Sequence, residues 1–432
     1  MNKEILRLAI PNIISNLSIP LISSVDIALM GHGQTEAHLG ALAIGTVIFN
    51  SIYWGLGFLR MGTTGMVAQA YGENDKKKIS TLVGQSSLLA LLIALLILIF
   101  QKPILNFSLS ILGGNDVTHQ MASTYFNIVI WAAPAALIIR ALNGWFFGMQ
   151  NAKIPMAITI FENLLNVAIS FYLVRYKNME VAGVAIGTLV ARYAGLFLGL
   201  VCFRFSFYNF LKQIKIKSIY NWQSLKKFFS INSDIFIRTL CLIFAFGFFK
   251  ARSLIQGETI TAVNTIYLEF MGLLSFGVDG FAYAAESLVG KYLGQKNETQ
   301  YKRAIKLSII WGIGLGLLYT AAFAIYGLKI FNIYTDNTIT REAAPEYLVW
   351  LIIMPLLNSL AFVWDGIYVG ATASKAMRNT MILSLAVFLI TYYLTYNQFG
   401  NHALWLAMAG YMASRSLFQT LLAPKYIYNL AR

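Results

Sequence analysis

Asn143-Gly144-Trp145-Phe146-Phe147-Gly148 is answered 222 positions later by Asp365-Gly366-Ile367-Tyr368-Val369-Gly370, and Lys153 by Lys375. Gly72, just ahead of a charged stretch, is answered by Gly294 at the same offset. Near the end of the chain the register slips by one residue, pairing Gly187 and Arg192 with Gly410 and Arg415, as a single inserted loop residue would do. A register held across more than half of each copy marks duplication of a whole domain, and repeated halves in a long apolar chain are the plan of a transporter.

The solvent follows from composition. The 432 residues are 58% hydrophobic and 12% charged, with a mean hydropathy of +0.64, which leaves too little polar surface for a soluble globule of that length. A helix needs about 20 apolar residues to cross a hydrocarbon core about 30 Å thick, at about 1.5 Å per residue. By that ruler, spans are expected near 5–30, 39–68, 79–101, 122–147, 154–174 and 181–205, and again near 231–256, 260–288, 302–327, 344–370, 376–398 and 402–427. The expected fold class is therefore an all-α integral membrane protein with twelve transmembrane helices. They form two six-helix lobes, residues 1–205 and 231–432, joined by a cytoplasmic linker at 206–230. An even number of spans brings both copies in from the same side, so the lobes are expected to be related by a pseudo-two-fold axis along the membrane normal.

Charge sets the orientation. With both termini cytoplasmic, that side receives Lys76, Lys77, Lys78, Lys153, the stretch from Arg204 to Lys227, the cluster from Lys291 to Lys306, Lys375 and Arg378. These are most of the chain's 33 lysines and arginines, as the positive-inside rule requires. The net charge of +15 is then a record of topology. Basic residues dispersed over short loops beside apolar spans argue against a nucleic-acid partner. Asn12, Asn16, Pro20 and Asp26 interrupt what would be the apolar region of a signal peptide, so the first stretch reads as a span of an inner-membrane protein. Cys202 and Cys241 lie inside predicted spans, and His32, His38, His119 and His402 lack ligand spacing, so neither a metal centre nor a cofactor is expected. The linker, with lysines among aromatic residues, reads either as an amphipathic segment on anionic lipid or as a solvated tether.

Ionisable residues at membrane depth cost at least about 2.5 kcal/mol each, which makes every one a functional candidate. Asp26 leads, deep in the first span and six residues after Pro20, a candidate hinge. It is either a proton or cation site or a structural partner for an arginine. On the fifth span Glu162, Asn166 and Ser170 fall at i, i+4 and i+8, a single polar stripe with Asn163 beside it. The stripe can serve a site or glue helices together. On the sixth span Thr188 and Arg192 are i,i+4 neighbours, with Arg192 able to reach Asp26 or Glu162 or to snorkel outward. Arg60 opens a small-residue stretch and is a candidate for an internal salt bridge. In the second half Asp234 and Arg238, at i,i+4, are expected to neutralise each other within one helix. Asp279-Gly280 and Asp365-Gly366 read as helix breaks or caps, and Glu286 as a group near the cytoplasmic end and in reach of water.

At these residues the chain resembles the multidrug and toxic compound extrusion family, in its DinF-like branch. The resemblance rests on Pro11-Asn12-Ile13 with Val25-Asp26, Phe58 to Gly65, Asn163-Leu164-Leu165-Asn166, Val181 to Thr188, Phe276 to Phe281 with Ala284-Ala285-Glu286, and Asp365-Gly366-Ile367 followed by Met377-Arg378-Asn379. These stretches run in order through both halves. The resemblance implies a transporter that exports amphiphilic or cationic small molecules by alternating access, driven by inward proton or sodium movement. It implies a first-lobe ion site at the positions of Asp26, Asn166, Ser170 and Thr188. Two departures stand out: the branch has aspartate where this chain has Ser170, and a glutamate where it has Arg192. With so little negative charge, proton coupling through Asp26 is preferred, sodium at Asp26, Asn166 and Thr188 remaining open. A carboxylate restored by Ser170→Asp is expected to alter coupling. A monomer among membrane lipids is expected. The competing readings are a lipid-linked oligosaccharide flippase of the same superfamily and, from a different class, an intramembrane enzyme. The first would want several cations for a pyrophosphate; the second would want a nucleophile or metal motif that the sequence lacks.

Overall fold

The computed structural model describes residues 1–31, 36–213 and 216–431, with the side chains of residues 19, 21–24, 26–31, 36, 211, 216 and 431 outside the description. Among the described residues every regular element is helical. Nine of the helical stretches are long and apolar enough to cross a membrane. This is the all-α, multi-span architecture expected from composition. Two compact units divide it: residues 14–228, and residues 1–13 with 229–432.

The first unit holds most of α1 (Asn2–Gly31), then α2 (Glu36–Gly55), α3 (Phe58–Gly72), α4 (Lys76–Ile99), α5 (Gln101–Ile111), α6 (Asp116–Val129), α7 (Ala133–Gly148), α8 (Lys153–Lys177) and α9 (Glu180–Ser206). The span expected at 39–68 lies in one apolar stretch, Ala37–Gly72, with a turn between α2 and α3 where Gly55 and Gly57 flank the Gly57 N–H bond to the Trp54 carbonyl at 3.1 Å. The span expected at 122–147 is also interrupted. A 3₁₀ turn at Ile130–Ala132 separates α6 from α7, and Pro134 sits in the first turn of α7, where its missing N–H costs nothing. Pro355, 221 positions further on in the second copy, lies inside an unbroken helix. Pro20, too, lies within continuous α1.

The linker is mostly helical: α10 (Tyr208–Leu211), α11 (Ile216–Ile219), and the first turns of α12 (Trp222–Leu254). It is fastened to α4. Ser80 Oγ donates to the Phe210 carbonyl at 3.0 Å, and Gln85 Nε2 donates to the Ile219 carbonyl and to Ser224 Oγ at 3.2 and 3.0 Å. Phe203, Phe207 and Phe210 surround Trp145, whose Nε1 donates to the Ile79 carbonyl at 3.1 Å.

The second unit holds α12 beyond its start, α13 (Glu258–Gly294), α14 (Glu298–Tyr334), α15 (Thr338–Gly370), α16 (Ser374–Phe399) and α17 (Asn401–Tyr426). The first turns of α1 dock here. Glu4 takes hydrogen bonds from Lys291 Nζ at 3.2 Å and the Tyr292 hydroxyl at 3.0 Å, and Trp311 Nε1 donates to Asn2 Oδ1 at 3.3 Å. Asp279-Gly280 and Asp365-Gly366 lie inside α13 and α15 and break neither helix, contrary to the sequence expectation. The close helix contacts expected beside them are present at their glycines. A methyl on Gly280 would meet the Ala9 carbonyl at 2.9 Å.

The repeat is visible atom by atom. A Cβ on Gly144 would press on the Arg60 carbonyl, and one on Gly366 on the carbonyl of Ala282, the residue in the same register. Gly148 faces Val67 as Gly370 faces Val289. In lipid, helices gain no hydrophobic driving force from meeting one another, so this close backbone approach is what holds α3 to α7 and α13 to α15. The helix exits repeat as well. Asn74 and Lys296 share a left-handed φ of 55° and 52°, and Gln150 and Thr372 one of 61° and 53°.

Candidate functional site

In the first unit the polar stripe of α8 is buried, with Glu162 at 4%, Asn166 at 7% and Ser170 at 0% exposure. It faces α9 across a row of glycines. A Cβ on Gly195 would fall on the Glu162 carboxylate, and one on Gly187 on Ser170 Oγ. The glycines leave slots, and the polar side chains fill them. Asn166 Nδ2 donates to Thr188 Oγ1 at 3.0 Å, and that hydroxyl donates on to the Val184 carbonyl at 3.1 Å. Asn163 Nδ2 donates to Ser18 Oγ of α1 at 2.7 Å. Arg192 Nη1 donates to Glu162 Oε2 at 2.8 Å.

Of the predicted ion-coupling set, then, Asn166 and Thr188 are brought together and Ser170 lies one turn along the same helix interface. Asp26 falls outside the residues whose side chains are described. Arg60, the expected salt-bridge anchor, holds its guanidinium 5.9 Å over the Phe147 ring. Three buried oxygens of the stripe have no hydrogen-bond partner among the described residues: Glu162 Oε1, Asn166 Oδ1 and Ser170 Oγ. A buried acceptor without a donor costs about 1–3 kcal/mol, so three along one stripe concentrate that cost at the packing of α8 against α9.

Two residues here escaped the sequence reading. Arg140 of α7 holds its guanidinium 5.3 Å over the ring of Tyr53 of α2. Both Arg140 and Arg192 lie within electrostatic range of Glu162 and of Tyr53. The signal for Arg140 was present in the sequence, an arginine inside an apolar span.

The second unit has a larger ionic cluster. Asp365 takes hydrogen bonds from Nε of Arg238 at 3.1 Å and from its Nη2, from Nη2 of Arg415 at 2.7 Å, and from Nε2 of Gln419 at 2.8 Å. Asp234 takes Nη1 of Arg378 at 2.6 Å and Ser374 Oγ at 2.8 Å. The expectation that Asp234 and Arg238 simply neutralise each other along one helix is therefore corrected. Each reaches a partner on another helix, because a charged hydrogen bond of good geometry outweighs an i,i+4 contact of a few tenths of a kcal/mol. Glu286, expected near water, is 1% exposed. The cluster ties α12, α15 and α17 together around a carboxylate whose two oxygens are both occupied.

Comparison with known proteins spans most of the chain. The MatE family model matches residues 11–172 and 240–396. The chain is 33% identical over 427 residues to the DNA damage-inducible protein F of Escherichia coli, covering 96% of this chain and 90% of that one. It is 22% identical over 421 residues to a probable multidrug resistance protein NorM of Bacillus cereus, covering 94% and 91%. Among solved structures, a MATE in the bent conformation superposes with a TM-score of 0.89 at 19% identity, covering 99% of this chain and 96% of that one.

Proposed function

The chain belongs to the MatE family of multidrug efflux transporters, and from that premise we propose that it is a cation-coupled antiporter, proton-driven in preference to sodium-driven. It exports amphiphilic or cationic small molecules by alternating access, with Asp26 as the main coupling carboxylate and Asn166, Thr188 and Ser170 as its neighbours. The protein is a monomer in a bacterial-type inner membrane, with both termini cytoplasmic.

The observation that carries this reading is the α8 stripe. Three buried oxygens wait for a donor in the unit that also contains Asp26. Asn166 and Thr188 already present a hydrogen-bonded pair there. A carboxylate in a low-dielectric setting is costly as an ion, which suits it to take up and release a proton as its surroundings change.

The test is transport in proteoliposomes with proton and sodium gradients imposed separately. A proton gradient alone is expected to drive uphill substrate movement in the parent protein, and Asp26→Asn is expected to abolish it while equilibrium substrate binding persists. Uphill transport by the Asn variant at the parental rate would remove Asp26 from the coupling role. Transport that follows sodium alone would overturn the proton preference.

A further inference from the structure

Between Glu180 and Asp234 the chain carries no acidic residue, and the stretch 204–227 within that gap holds Arg204, Lys212, Lys215, Lys217, Lys226 and Lys227. Arg204, Lys212, Lys217, Lys226 and Lys227 are exposed, and none of these five has an ion pair among the described residues. The carboxylates at the head of α4 are engaged elsewhere: Glu73 holds Lys78 Nζ at 2.7 Å, and Asp75 caps α4 on the Lys78 N–H at 2.9 Å. Asp26 and Glu36, whose side chains lie outside the description, belong to the opposite end of the unit. Asp26 is five residues from the end of α1, and α2 begins at Glu36 beside His38, which pairs with Glu180 at the far end of the 27-residue α9. Two of the cations are held in place on one ring, the Arg204 guanidinium carbon 4.1 Å and Lys212 Nζ 4.6 Å from the Tyr208 centroid.

Depth separates a membrane-bound segment from a tether in water. Ser80 and Gln85, which fasten the linker, lie four and nine residues into the apolar span Lys76–Ile99. At about 1.5 Å per residue these are roughly 6 and 13 Å along a helix that overhangs a hydrocarbon core of about 30 Å by only a few ångströms at each end. The linker is therefore drawn down beside the span, to the boundary of headgroups and acyl chains where amphipathic segments settle. Its uncovered residues suit that level. Phe205, Tyr220 and Trp222 are 78%, 63% and 73% exposed, while Leu225 and Phe228 of the following turns are buried. Large rings left open beside unpaired cations are the interfacial pattern of a membrane-facing surface.

We propose that residues 204–227 form a docking surface for anionic phospholipid. The five exposed cations meet lipid phosphates, and Phe205, Tyr220 and Trp222 lie among the glycerol and upper acyl atoms. Charge complementarity selects an anionic partner, and depth selects a lipid over a soluble polyanion, which has no access to rings at the acyl boundary. Tyr208, by holding Arg204 and Lys212 together, presents two positive charges to one headgroup region.

The experiment places a bimane fluorophore at Gln223→Cys in full-length protein lacking Cys202 and Cys241, reconstituted in phosphatidylcholine nanodiscs. Quenching is measured with 5-doxyl phosphatidylglycerol and 5-doxyl phosphatidylcholine, which carry the same quencher at the same depth and differ in headgroup charge. Phosphatidylglycerol is expected to quench at least threefold more efficiently, falling to parity in 0.5 M NaCl. With Arg204, Lys212, Lys217, Lys226 and Lys227 all changed to Gln, parity is expected at low salt as well. Changing Lys153, Arg303, Lys306, Lys375 and Lys425 to Gln, an equal loss of exposed charge outside the linker, is expected to preserve the preference. Equal quenching by the two lipids in the protein with its cations intact overturns the proposal without appeal to any charge variant. So does strong quenching by aqueous iodide with little from either lipid, the mark of a solvated tether. Displacement of doxyl phosphatidylglycerol by an equimolar 20-nucleotide RNA would assign the surface to nucleic acid instead.

Discussion

Ser170 sits where Gly187 has no side chain, and Glu162 where Gly195 has none. The slot is as much a property of the glycine as of the polar residue that fills it. Gly195→Ala is therefore expected to push the Glu162 carboxylate aside and to destabilise the protein by about 1–3 kcal/mol, the usual cost of overpacking a tight contact. The check is a lowered thermal midpoint of the purified protein in detergent; a midpoint unchanged within error would mean that α9 does not press on α8 there. Ser170→Asp meets the same wall. From sequence it adds a carboxylate to an ion site, whereas the close packing against Gly187 leads us to expect loss of folded yield before any gain in coupling. The stripe itself was legible, since i, i+4, i+8 spacing has one geometric meaning. What it faces was not, because the answer lay in glycines on another helix that carry no chemical signal of their own.

At the scale of elements, the linker shows how burial changes the meaning of composition. Five lysines fall in its sequence, and Lys212, Lys217, Lys226 and Lys227 are exposed. The contacts that fix it are made by Phe207, Phe210 and Ser224 against α4, α7 and α9. Gln85 is the single side chain that reaches both Ile219 and Ser224. Gln85→Ala is expected to release this segment and to speed tryptic cleavage at Lys212 and Lys217 severalfold, read by limited proteolysis in nanodiscs, since cleavage follows local opening. An unchanged rate would assign the docking to the aromatic cluster and the Ser80 hydrogen bond. Of the two interruptions inside spans, a proline in mid-span signals the one at Pro134, and nothing comparable signals the turn at Gly57. The backbone adds that Gly57 closes a turn and that Pro134 opens α7 rather than kinking its middle.

For the molecule as a whole, duplication is the feature that the sequence exposed most fully, because two glycines in each copy are held at one offset by backbone-to-backbone contact. The fate of the charges was less legible: of two arginines in equivalent places, the Arg192 side chain is 41% exposed and that of Arg415 is 0% exposed. Orientation can be measured directly. In a variant lacking Cys202 and Cys241, Gly113→Cys is expected to react with a membrane-impermeant maleimide in intact cells, and Lys217→Cys only after lysis. The reverse pattern would invert the topology and with it the direction assigned to transport.

The docking of the first turns of α1 onto the unit of residues 229–432 has a consequence for biosynthesis. Asn2 leaves the ribosome 309 residues before its partner Trp311. At about 5–20 residues per second that interval is roughly 15–60 s, during which residues 14–228 can complete their own unit while the opening turns of the chain have nothing of their own to pack against. These turns are thus secured only after the residues that receive them, out to Trp311, have been made.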